Sequence, residues 1–101
     1  MGGTIVKGYW LILGEEITST EAQEQYARLW RPIAEQYRAV LKPLDVSALK
    51  EAGNARRLLA VEFDSLATAH ACYNDPAYAE ALVYAVRASS RQLLIIEGNL
   101  A

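Results

Sequence analysis

Apolar residues recur along the chain first at strand spacing and then at helical spacing. Residues 4–13, TIVKGYWLIL, are rich in β-branched and aromatic side chains and almost continuously apolar at their end. That is the pattern of a strand covered on both faces. After a turn within GEEITST, the residues Ala22, Tyr26, Leu29, Trp30, Ile33 and Tyr37 repeat at helical spacing, predicting a helix from Glu21. Thr18 with Glu21 fits a capping box, and Ser19 and Thr20 are alternative caps. Pro32 falls inside the pattern, so the helix either kinks there or a second one starts.

Residues 39–52 are less legible. AVLKPLDV fits a strand that Pro43 confines to a sheet edge, and SALKEAG fits a short helical turn ending at Gly53. Residues 57–63 then predict a strand. A helix follows, capped by Asp64 or Ser65, with Leu66, Ala69 and Tyr73 on one stripe. It is interrupted by CYNDPAYAE, residues 72–80. Asp75 suits an N-cap, and Pro76 suits the first helical position, where its missing N–H costs nothing. One helix therefore stops near Tyr73 and another begins at Pro76, turning Tyr78, Leu82, Ala85 and Val86 inward. QLLIIEG is the last strand. The order β-α-β-β-α-β is the split arrangement of a ferredoxin-like α+β fold, a four-stranded antiparallel sheet with helices on one face. In it the first and third strands are central, and here these are the apolar ones. No internal repeat or linker divides the 101 residues, so one domain is expected.

Composition changes this picture in two respects. Hydrophobic residues make up 52% of the chain, more than a small exposed surface needs, so some apolar surface meets another subunit or a ligand. Two helical segments cover one sheet face, while the central strands are apolar on both, which predicts a homodimer through the other face. The net charge is −2 with no basic block, which argues against nucleic acid and anionic membranes as partners. Cys72 is the single cysteine, the beginning lacks the basic and apolar regions of a secretion signal, and no apolar run approaches the ~20 residues of a membrane span. A cytoplasmic protein is expected.

Four short motifs resemble one family. KGYW at residues 7–10, VEFDS at 61–65, CYNDPAY at 72–78 and IIEG at 95–98 are similar to the domain-of-unknown-function family 1330, within the dimeric α/β-barrel superfamily. The resemblance implies a ferredoxin-like fold and a dimer in which two sheets pair face to face, with no settled reaction. Enzymes of the superfamily include cofactor-independent quinone-forming monooxygenases, muconolactone isomerases and haem-binding oxidoreductases. The chain departs from the family in three places. Tyr37-Arg38-Ala39 stands where a glycine pair is usual, and Cys72 stands where a tryptophan often precedes the tyrosine. An arginine is expected near Ala85, whereas Arg87 points about 200° away around the helix.

Candidate chemistry is sparse. His70, the one histidine, can serve as a general base or haem ligand, or be an ordinary helix-surface residue. His70 and Cys72, two apart on a helix, diverge and cannot share a metal ion, and no other ligand set completes a zinc site. No metal, haem or other cofactor is expected. Glu62 shares a strand face with Leu58 and Ala60, and a carboxylate on an apolar face is a candidate acid or base; the alternative is a solvated or arginine-paired strand end. Trp10, Trp30, Tyr73 and Tyr78 can line a cavity for a small apolar or aromatic ligand, or simply pack the core. The chain has no phosphate-cradling loop and no nucleophile elbow. Three readings stay open: a small dimeric α/β-barrel protein of unassigned function, a cofactor-independent monooxygenase or isomerase acting on a small aromatic or lactone-like compound through Glu62 or His70, and a non-catalytic small-ligand-binding module.

Overall fold

Alternation along the strands decides the architecture. In the computed structural model, which describes residues 6–98, β1 (Lys7–Gly14) buries Trp10 and Ile12 on one face while Tyr9, Leu11 and Leu13 lie on the other. The chain continues through α1 (Thr20–Gln36), β2 (Val40–Pro43), a 3-10 turn (Val46–Ala48), β3 (Arg57–Phe63), α2 (Leu66–Asn74), α3 (Pro76–Ala88) and β4 (Arg91–Gly98). The strands form one antiparallel sheet in the order β2-β3-β1-β4, with Trp10 opposite Val61 on β3 and Ile95 on β4. This is the ferredoxin-like arrangement, with β1 and β3 central and the proline-bearing β2 at an edge. No helix among the described residues is long and apolar enough to cross a membrane.

The helices cover a single face of the sheet. Trp10, Ile12, Val61 and Phe63 pack there against Ile33 of α1, Ala69 and Cys72 of α2, and Tyr78 and Ala81 of α3. Burial pushes the Cys72 thiol up to about 12, with Asp75 adding to it, so this is a core group and not a nucleophile. The structure resolves the alternatives at α1 and departs from expectation at two later points. Ser19 is the cap of α1, its hydroxyl accepting from the Ala22 N–H. α1 runs through Pro32 without ending. Residues 46–48 form a single 3-10 turn instead of a helical turn reaching Gly53. Val86, expected inside, is 62% exposed: Tyr78, Ala81, Ala85 and Ala88 already form the buried stripe of α3, and Val86 lies about 100° beyond Ala85. The start of the first predicted strand, residues 4 and 5, lies outside the described residues.

The Asn-Asp-Pro interruption is a junction that ties three helices together. Asp75 ends α2 and caps α3: one carboxylate oxygen accepts from the Ala77 N–H at 2.8 Å, and the other from the Tyr37 hydroxyl at 2.5 Å. Tyr37 is the C-cap of α1, and Arg38 beside it has a positive φ of 53°, the conformation for which glycine is the usual residue. The Tyr37 hydrogen bond, followed by the Ala77 N–H, lowers the Asp75 carboxyl below its ordinary 3.8. Stabilisation from these bonds is therefore complete above pH 3.8 and fades as pH falls through the depressed folded value. Asp75→Ala is expected to lower the melting midpoint by roughly 5 °C at neutral pH, and Pro76→Ala by much less. The Asp75→Ala deficit should narrow in acid, and a larger loss for Pro76→Ala would contradict the cap assignment.

Candidate functional site

A cavity of about 190 Å³ lies between α1, α3 and the helix-covered face of the sheet. Its walls are aromatic and aliphatic: Trp10 and Ile12 from β1, Tyr26 and Trp30 from α1, Leu59 and Val61 from β3. Helical spacing places Tyr26 and Trp30 one turn apart, so both rings hang over the sheet from the same side of α1. They lie parallel, 2° between planes with centroids 6.5 Å apart. Trp10 forms the floor. Its indole N–H donates to the Ala69 carbonyl at 3.0 Å, which locks the ring, and its centroid lies 5.4 Å from Trp30 and 4.9 Å from Tyr78.

One end of the cavity is cationic. Arg57 on β3 and Arg91 on β4 are both paired across Gly14 of β1, on the face that carries Trp10 and Ile12. Gly14 has no side chain between them, and a Cβ there would come within 2.6 Å of Arg57 Nη2. Arg57 is held by Nε donating to the Glu15 carbonyl at 3.2 Å and Nη2 donating to the Ser89 hydroxyl at 2.8 Å. Burial, and then the like charge of Arg91, lower its pKa from the ordinary arginine value. Arg91 donates from Nη2 to the Tyr78 hydroxyl and lies 5.2 Å from the Tyr26 ring centroid. The Tyr78 hydroxyl also shares a hydrogen bond with Tyr26 at 3.1 Å. Burial, with Tyr26 adding to it, drives the Tyr78 phenol further up than Arg91 draws it down, so it stays protonated.

The residues expected from sequence separate into four places. Trp10 and Trp30 line the cavity. Tyr73 and Tyr78 stand behind Trp10 and pack edge-on against its ring. Glu62 lies on the opposite sheet face, where its carboxylate accepts from the Tyr9 hydroxyl at 2.8 Å and stands 3.7 Å from Lys42 Nζ. His70 is exposed on α2, away from the cavity. No group of three or more histidine, cysteine or carboxylate side chains among the described residues could hold a metal ion. Arg57 and Arg91 were not anticipated, although the signal was present. Each is in phase with an apolar stripe that packs on the core, Arg57 with Leu59, Val61 and Phe63, and Arg91 with Leu93 and Ile95. Arg91 and Ala85 both border the cavity, while Arg87 is exposed beside Tyr84.

A ferredoxin-like chain with one cavity face and one helix-free face is the class that fold and site define. Within it, the protein belongs to the domain of unknown function family DUF1330, whose sequence profile matches residues 7–99. Its structure is similar to that of a protein of unknown function from Rhodopseudomonas palustris (TM-score 0.65, 18% identity, 97% of this chain and 85% of that one). It is also similar to the hydroxynitrile lyase of Passiflora edulis (TM-score 0.67, 11% identity, 97% and 98% covered). A dimeric ferredoxin-like protein of unknown function from Thermobifida fusca gives a TM-score of 0.59 at 13% identity, with 94% and 92% covered. At these identities the likeness establishes the fold alone. No curated protein matches the sequence.

Proposed function

We propose that this protein is a small-ligand-binding module whose cavity takes a flat, single-ring molecule, and that two copies pair through their helix-free sheet faces. The observation that carries the binding role is the cavity walled by Trp10, Tyr26 and Trp30. Apolar cavities of about 150 Å³ admit benzene, so 190 Å³ suits one substituted ring. Aromatic walls with a few polar groups at one end are the usual make-up of such a site. An oxygenase or isomerase would need a group that exchanges protons near neutrality within reach of its substrate. Among the described residues, the polar ones bordering the cavity are Gln23, Tyr26, Arg57, Ser89 and Arg91, with no carboxylate or imidazole among them. Glu62 and His70 would act only from outside it, so binding is the better-supported role.

Pairing is supported by the sheet face that the helices leave uncovered, which presents Leu11, Leu13, Leu58, Leu94 and Ile96. The dimeric neighbour from Thermobifida fusca has the same fold.

Titrating the protein with benzamide, a neutral single ring, and following tryptophan fluorescence tests the binding role. A saturable change is expected with a dissociation constant of roughly millimolar or tighter. Trp30→Ala should weaken it about tenfold by removing one wall. The absence of any saturable response from the folded protein would overturn the proposal.

A further inference from the structure

We infer that the ligand is a carboxylate-bearing aromatic acid, its ring in the cavity walled by Trp10, Tyr26 and Trp30 and its carboxylate between Arg57 and Arg91. This rests on the binding role proposed above and adds the chemical class. Two guanidiniums border one cavity end, and neither is ion-paired: the ion pairs among the described residues are Lys7–Asp64 and Lys42–Glu62, both elsewhere. Two neighbouring cations beside an apolar wall repel one another and lose hydration, which an anion between them would offset.

The hydrogen bonds also leave donors to spare. A guanidinium carries five N–H donors. Arg57 uses Nε and Nη2 on Glu15 and Ser89, which leaves its Nη1 uncommitted among the described residues, while Arg91 is held by Tyr78 and Tyr26 with five donors to share between them. The committed bonds fix each planar group in place before a ligand arrives, which is the preorganisation that anion recognition requires. Gly14 belongs to the same device, because any larger residue would displace Arg57 from its position over β1. A carboxylate fits better than a bulkier phosphate ester, since the cavity holds about one ring and little else.

Benzoate and benzamide share a ring and nearly a shape but differ in charge, so comparing them by calorimetry isolates the anion. Wild-type protein is expected to bind benzoate about tenfold tighter than benzamide. That preference should shrink as sodium chloride is raised, with benzamide binding unchanged. Arg57→Met should remove most of the preference for benzoate over benzamide, because the charge that distinguishes the two is lost. If benzamide binds and benzoate binds no tighter, the carboxylate assignment falls and the cavity proposal stands. If neither binds, both fall. The wild-type comparison and its salt dependence decide the matter even if Arg57→Met does not fold.

Discussion

Gly8→Ala is expected to be the most damaging single-methyl substitution in this chain, lowering the melting midpoint by roughly 10–20 °C. At Gly8 the central strand β1 meets the start of α2 with no gap. An added Cβ would come within 2.6 Å of the Ser65 carbonyl carbon and 2.7 Å of Leu66 Cα, and would press on the Ser65 oxygen as well. All three are backbone atoms, so no side chain can turn aside to relieve the contact. The Ser65 hydroxyl caps α2 by accepting from Thr68 N–H, so displacing this residue also disturbs the helix start. The cost should be about 3 kcal/mol or more, a large fraction of what holds a domain of this size together. Gly53→Ala is the control. Gly53 has a left-handed φ of 60° but open space around it, so that substitution should cost only about 1–2 kcal/mol of backbone strain. Thermal denaturation of both variants checks the claim, and Gly8→Ala melting no lower than Gly53→Ala would contradict the close approach of β1 to α2.

Leu11→Asp is expected to abolish self-association. Leu11 lies at the middle of β1 on the helix-free face, paired with Ala60 on one side and Leu94 on the other, and Leu94 is 49% exposed. Fully burying each large aliphatic side chain on this face contributes roughly 1.5–3 kcal/mol. That must offset an association cost of about 4–15 kcal/mol, so most of the face has to be covered. A stable interface of ordinary size takes about 800 Å² from each partner. A carboxylate at its centre would be buried unpaired and should weaken the dimer by about 100-fold or more. Sedimentation equilibrium at micromolar concentration should show two chains per particle for the wild type and one for Leu11→Asp. A well-folded wild-type monomer under these conditions would contradict the pairing.

The architecture was legible because its signals are local and redundant. The apolar runs of β1 and β3, the helical stripe from Ala22 to Ile33 and the Asp75-Pro76 start of α3 each name their element independently of the others, and the strand order follows from their sequence. Residues 39–52 were less legible because β2 is only four residues long and both of its aliphatic side chains are exposed, with Val40 and Leu41 each near 50%. Burial there is too weak to impose a period. Val86 was misplaced because a helix packed by alanines turns small residues inward, and a larger apolar residue one position on then looks like the better core candidate. Of the cavity's aromatic walls, the sequence pointed to Trp10 and Trp30 but not to Tyr26. Trp10 and Trp30 announce themselves by size, whereas the cationic end depends on Arg57 and Arg91 meeting across Gly14, a juxtaposition created by strand order and register. Glu62 drew attention for the right physical reason, a charge on an apolar strand. The same reason applied to Arg57 and Arg91, on the face that carries the cavity.

Nuclear magnetic resonance tests the binding cavity most directly, because the chain has two tryptophans and both line it. In the ¹⁵N-labelled protein, the indole N–H signals of Trp10 and Trp30 should both move saturably as benzamide is added. The backbone amide of His70, exposed on α2 away from the cavity, should stay in place. If neither indole signal moves at roughly 10 mM benzamide while the protein remains folded, the cavity is not a ligand site.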